Sequence, residues 1–207
     1  MTITRITYGE TTLPESAIFV GGEENKEVPI ILSIFLVQIG ARKLLVDAGC
    51  EDLPGFDLIN FQSAVKALER QGIVPEQITD VIITHVHHDH AQCVKYFPQA
   101  RVWVQAQEYA RVPYYFENNP HITTFQQETT VAEGIRAVKI GGHTTGSCVV
   151  ECEKDEKVYV LCGDECYTRY NLDNRVPTAS AKFPENSRAF IEKYTQPPYI
   201  CLLCHEA

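Results

Sequence analysis

The sequence predicts an α+β fold, with many short strands packed sheet on sheet and a few helices outside them. Two patterns predict it. Apolar, β-branched runs of strand length recur along the chain, and only two segments carry the three-to-four-residue apolar spacing of an amphipathic helix. The size is also suitable: 207 residues, 44% apolar and 22% charged, can bury a sizeable core. Residues 1–207 show no repeat, low-complexity tract or linker, and are read as a single domain.

The elements follow in order. MTITRITYGE (1–10) alternates apolar and polar residues and has neither a continuous apolar core nor a small-residue cleavage site. It reads as a first strand rather than a signal peptide. IILSIFLVQIG (30–40) and KLLVDAG (43–49) are strands joined by a hairpin turn at GARK. NFQSAVKALERQG (60–72) places Phe61, Val65 and Leu68 on one helical face, with Asn60 as N-cap and Gly72 just past the end. ITDVIITH (78–85) is a buried strand that delivers His85 to its carboxyl end, and ARVWVQ (100–105) is another. GIRAVKI (134–140), SCVVECE (147–153) and KVYVLCG (157–163) are further strands, the last two joined by a solvated turn within ECEKDEKVY. PENSRAFIEKY (184–194) is the second helix, and YICLLC (199–204) is a last buried strand ending at His205.

Composition narrows the function. A net charge of −9 without any lysine- or arginine-rich run speaks against a nucleic-acid partner. No apolar run is long enough to cross a bilayer, so no membrane partner is expected and the cytoplasm is the default location. Eight cysteines in a chain of this size, with no export signal, read as reduced thiols. Cys201 and Cys204 form a single C-x-x-C inside an apolar run, which reads as buried core thiols rather than half a zinc ribbon. The aromatic stretch YARVPYYFENN (109–119) reads as core packing in preference to a lid.

THVHHDHAQC (84–93) holds four of the seven histidines. In an extended segment residues i and i+2 share a face, so His85 and His87 can converge on one ion. A turn into helix after them swings Asp89 and His90 onto a different face, where they can serve a second ion. Clustered imidazoles repel on protonation, and neutral imidazole is the commonest metal ligand. The remaining ligands must come from other loop ends: His143 in IGGHTTGS, Asp164 in LCGDECYT and His205 after YICLLC. His88 and His121 read as satisfied structural residues.

These motifs, LLVDAGC, THVHHDH, GGHTTGS, GDECYT and the last histidine, fall in an order that resembles the metallo-β-lactamase-fold hydrolase superfamily. The resemblance implies a four-layer αβ/βα sandwich and two divalent ions, with zinc expected and iron or manganese also suited. It assigns His85, His87 and His143 to the first ion and Asp89, His90 and His205 to the second, with Asp164 bridging. Asp47 would steady the metal loops. His87 stands where flavodiiron oxidoreductases carry glutamate, which is the hydrolase pattern. Tyr167 follows the bridging aspartate as in the D-x-x-Y-T of N-acyl homoserine lactone lactonases, where the tyrosine reaches the substrate carbonyl. Cys204 departs from the family, which has glycine before the final histidine. The implied chemistry is hydroxide attack on a lactone, ester or thioester carbonyl of a small molecule. Asp89, Asp164 and Tyr167 would be the catalytic side chains. A mononuclear iron persulfide dioxygenase using His85, His143 and Asp164, and a phosphodiesterase, are the alternatives.

Overall fold

A computed structural model describes residues 1–206. The elements are β1 (Thr2–Pro14), α1 (Glu15–Ile18), β2 (Glu27–Ile39), β3 (Arg42–Val46), α2 (Ala64–Arg70), β4 (Asp80–Ile83), α3 (His88–Ala91), β5 (Arg101–Gln105), α4 (Ala106–Arg111), β6 (Ile122–Phe125), β7 (Glu128–Ala132), β8 (Ile135–Lys139), β9 (Cys148–Lys154), β10 (Lys157–Leu161), α5 (Arg169–Asp173), α6 (Pro184–Tyr194) and β11 (Tyr199–Leu202). The α+β class stands, in two mixed sheets: six strands in the order β1 to β6, and five in the order β11-β10-β9-β8-β7. By contact density the chain divides into two compact units, Met1–Thr11 with Ile31–Gln126, and Thr12–Ile30 with the chain from Gln127 onward.

In the first unit β2 and β3 form an antiparallel hairpin that pairs Ile39 with Arg42, so Gly40 and Ala41 make the turn. From β3 to β6 the neighbours run parallel. Every residue of β4 is buried, as an inner parallel strand requires. The cost of burying Asp80 in it is met by Arg42 at 2.6 Å and the Trp103 indole at 3.0 Å. The core around β4 takes in Leu45, Leu68, Val81, Ile83 and Val104. Helix α2 begins later than its apolar period implies. Ser63, not Asn60, is the N-cap and accepts from the Lys66 amide, while Asn60 lies in the left-handed region at φ 51°. Gly72 ends the segment with φ 76°, as its position requires.

In the second unit β7, β8, β9 and β10 form an antiparallel meander, and β11 adds parallel to β10. The β9–β10 turn places Asp155 and Glu156 both at positive φ, 52° and 61°, the conformation a two-residue hairpin needs. Val149, Val160, Phe190, Ile191 and Tyr194 make this unit's core, with α6 laid against the sheet. All eight cysteines are free and buried, Cys201 and Cys204 among them. Burial pushes the Cys50 and Cys152 thiols up to about 12, so they stay protonated and inert at neutral pH. In the 109–119 stretch Phe116 is buried and Tyr109, Val112 and Tyr115 pack against the core, whereas Tyr114 is 62% exposed. Among the described residues no helix is long and apolar enough to cross a membrane.

Candidate metal centre

Each unit carries a set of side chains of the types that can hold a metal, and strand register explains both. In the first unit β3 and β4 run parallel, with Val46 opposite Ile82. Asp47 and Thr84 therefore emerge side by side at the carboxyl ends of the two strands, and the Asp47 amide donates to Ile82 O at 2.9 Å. Asp47 holds an unusual φ of 63°, a strained conformation that its contacts enforce. Its Oδ1 accepts from the Thr84 amide at 2.8 Å and the Thr84 hydroxyl at 2.9 Å, and its Oδ2 from His90 Nδ1 at 2.8 Å. Thr84 Oγ1 lies 3.1 Å from His85 Nδ1. With its proton directed to Asp47, this hydroxyl accepts from His85. The proton of each imidazole, His85 and His90, is thus assigned to Nδ1, which leaves Nε2 as the lone-pair donor.

His87 is extended, with φ −68° and ψ 157°, and caps α3. Its Nδ1 comes within 3.0 Å of His85 Nε2, the shared face that i and i+2 spacing predicts. Helix α3 then carries Asp89 and His90, and Asp89 Oδ2 lies 3.4 Å from His90 Nε2. The turn is clamped from outside it. The Ala48 and Gly49 amides both donate to His90 O, at 2.7 and 3.2 Å, and Tyr8 Oη donates to Asp89 O at 2.8 Å. Buried Glu108 accepts from the Val86 amide at 3.1 Å. His88 takes a different direction, bonding Asp52 at 2.9 Å and Tyr115 Oη at 3.0 Å, which is the structural role expected of it. His121 is exposed, with its amide on Asn119.

In the second unit β10 and β11 pair Leu161 with Leu202, and Asp164 and His205 each follow three residues later. The loop between β8 and β9 opens at the same sheet end, because Val150 of β9 faces Leu161. It carries His143. Asp164 Oδ2 lies 3.3 Å from His143 Nε2, and Asp164 Oδ1 lies 3.0 Å from His205 Nε2. Cys204 Sγ approaches Asp164 Oδ1 at 3.9 Å, so this departure from glycine adds a thiol beside the aspartate. Tyr167 Oη donates to Asp164 Oδ2 at 3.0 Å, and its ring packs with Ile18 and Ile30. Tyr167 is thus both a packed aromatic and a hydroxyl donor at the aspartate.

The donor set suits a divalent ion. His143, Asp164 and His205 are each no more than 5% exposed, so their charges meet little solvent. Burial disfavours charge on His205, yet Cys204 and Asp164 beside it raise its pKa well above the ordinary histidine value. Neutral imidazole nitrogens with carboxylate oxygens are the ligands zinc, iron and manganese accept. Two supporting residues lie inside the motifs but were not singled out from sequence. Thr84 immediately precedes the first histidine. Buried Glu165 follows Asp164, and burial raises its carboxyl to about 7 against the pull of the Ser147, Gly142 and His143 donors. Their one signal was adjacency to a ligand.

The chain belongs to the metallo-β-lactamase superfamily, whose family model matches residues 29–199, and it has that superfamily's fold. Among characterised proteins it is 25% identical over 183 residues to the N-acyl homoserine lactonase AiiB of Agrobacterium fabrum, covering 70% of this chain and 66% of that one. It is 32% identical over 124 residues to an N-acyl homoserine lactonase of a Bacillus species, covering 56% and 49%. The chain thus spans just under two thirds of the first relative's length and about half of the second's. Its fold matches a probable metal-dependent hydrolase from Staphylococcus aureus with a TM-score of 0.85 at 21% identity, over 99% of this chain and 89% of that one. It also matches an N-acyl homoserine lactone hydrolase with N-hexanoyl-L-homoserine bound at its catalytic metal centre, with a TM-score of 0.82 at 21% identity, over 99% and 92%.

Proposed function

We propose that this chain is a dinuclear metal-dependent hydrolase that opens a lactone, ester or thioester carbonyl of a small molecule. The observation that carries the reading is the Asp164 carboxylate, which offers one oxygen to His143 and the other to His205. A carboxylate with each oxygen beside a different imidazole could serve two ions. In this reading His85, His87 and His143 would hold one ion and Asp89, His90 and His205 the other, with Asp164 shared between them, all in a single domain. Zinc is the preferred metal. Bound divalent ions supply Lewis acidity and lower the pKa of coordinated water to about 7.

The chain's own residues do the rest. Asp47, through Thr84, orients His85 and directly orients His90. Tyr167 Oη, which donates to Asp164, would turn its proton toward a substrate carbonyl oxygen and stabilise the charge that develops there. Asp89 or Asp164 holds the proton that the departing oxygen or sulfur takes up. Histidine rather than glutamate at position 87 favours a hydrolase over a flavodiiron-type oxidoreductase. The names of the lactonase relatives put lactones at the head of the substrate panel. The net charge of −9 supports a small-molecule substrate over a nucleic acid.

The test is metal content on protein purified without added metal, paired with turnover of a lactone and thioester panel. Two ions per chain, and a loss of more than about 100-fold in kcat/KM in His87→Ala and Asp164→Ala, are the expected results. One iron per chain, with oxygen uptake on a persulfide and no hydrolysis, would replace this reading with the dioxygenase.

A further inference from the structure

The second unit contains a buried carboxylate that the proposed reaction does not use. Glu165 is 1% exposed and lies on the same 3-10 turn as Asp164, Gly163–Glu165. Its Oε1 accepts from the Gly142 amide at 3.1 Å and from the His143 amide at 3.3 Å, and the Ser147 hydroxyl donates to the same atom. Ser147 Oγ in turn takes the Thr144 amide at 3.0 Å. One carboxylate therefore gathers the Gly142 and His143 amides of the GGHTTGS loop directly and that of Thr144 through Ser147.

The loop is shaped to receive it. A Cβ on Gly142 would lie 2.2 Å from Glu165 Oε2 and 2.8 Å from Ser187 Oγ, closer than any real contact allows. Gly142 has no positive φ to explain the missing side chain, so the carboxylate's close approach is the reason for glycine there. Glu165 is joined by a peptide bond to Asp164 and by a hydrogen bond to the amide of His143. The 3.3 Å between His143 Nε2 and Asp164 Oδ2 is thus spanned from behind by a short, buried link.

We propose that Glu165 is a positioning residue, which locks the His143 loop to the Asp164 turn and so sets the metal affinity of the ligands in this unit. The inference rests on the metal reading above and adds a determinant to it. A carboxamide keeps the acceptor at Oε1 and the volume, so Glu165→Gln retains most of the link. Glu165→Ala removes the acceptor and leaves two buried backbone donors to find others.

The experiment is competition for Co2+ or Zn2+ against a chromophoric chelator, with the visible spectrum of the Co2+ form and thermal unfolding of the metal-free proteins. Glu165→Ala is expected to bind metal about 10–100-fold more weakly and to alter the Co2+ bands, with Glu165→Gln within a few-fold of wild type. Glu151→Gln, a change at another buried carboxylate of the same unit, is the control: it lowers thermal stability and leaves metal affinity unchanged. Should Glu165→Ala fold poorly, Gly142→Ala displaces the same carboxylate and is expected to weaken metal binding in the same way. Wild-type affinity and an unaltered Co2+ spectrum in either variant would overturn the positioning role while leaving the metal reading intact. A wild-type protein that takes up no metal would overturn both.

Discussion

Asp47 shows how much a single side chain organises. Its two oxygens hold the Thr84 amide, the Thr84 hydroxyl and His90 Nδ1, and through Thr84 they reach His85. All of this is buried, so each lost bond costs more than its surface equivalent. Substituting Asp47→Ala frees two imidazoles to rotate and to change tautomer. Metal affinity measured by chelator competition is expected to fall about 10–100-fold, with the fold retained by far-ultraviolet circular dichroism. Unchanged affinity would show that Asp47 serves the turn and not the ligands. The resemblance carried by LLVDAG was enough to suggest a supporting aspartate. Which ring nitrogen it reaches, and that Thr84 relays it, depended on β3 and β4 pairing in parallel with this register.

At the scale of elements, β9 carries a second buried carboxylate with a different task. Glu151 accepts from Tyr194 Oη at 2.8 Å, and Arg136 and Lys193 pair with it. Burial alone would raise its pKa, and the Tyr194 bond with the two cations outweighs it and lowers the value. A carboxylate with a depressed folded pKa adds stability above its unfolded value and loses it as pH falls through the folded one. The urea midpoint of the wild type is therefore expected to drop as pH falls below about 4.3. Glu151→Gln is expected to cost about 1–3 kcal/mol at pH 7 and to flatten that part of the profile. Parallel pH profiles in the two proteins would sink the assignment. The strands from β6 onward show where sequence patterns end. The strands β8 to β11 and helix α6 follow from alternation and period, but β6 and β7 escape. ITTF and ETTVA are short, half-exposed and threonine-rich, and a bulge interrupts the β7 pairing, so neither carries a clean two-residue period. Helix α2 started late because Ser63 supplies the cap bond while Asn60 turns left-handed.

For the whole molecule, two effects follow from charge and ligand. The chain carries a net charge of −9, and two bound divalent ions would offset four of those charges. An ion that binds only the folded state stabilises it by about 2.7 kcal/mol when its free concentration is 100 times its Kd. For a chain of this length each kcal/mol moves Tm by about 2–4 °C. Removing metal with a chelator is accordingly expected to lower Tm by at least about 5 °C, with recovery on adding Zn2+. A Tm indifferent to chelator would contradict metal binding in the folded state.

The identity of the candidate ligands was a property of the chain. Four histidines in six residues, and Asp164, His143 and His205 each at a strand or loop end, are local features, because the two-residue period of an extended segment decides which side chains share a face. The α+β class was equally local, since it follows from element types in order. Only the folded protein decided that β10 and β11 run parallel in register, so that residues 41 positions apart meet at one carboxylate. Only the folded protein put Glu165 behind His143, against a glycine with no room for a side chain. Such contacts depend on strand register and close approach, which are set by packing over the whole unit and leave no periodic mark in the sequence.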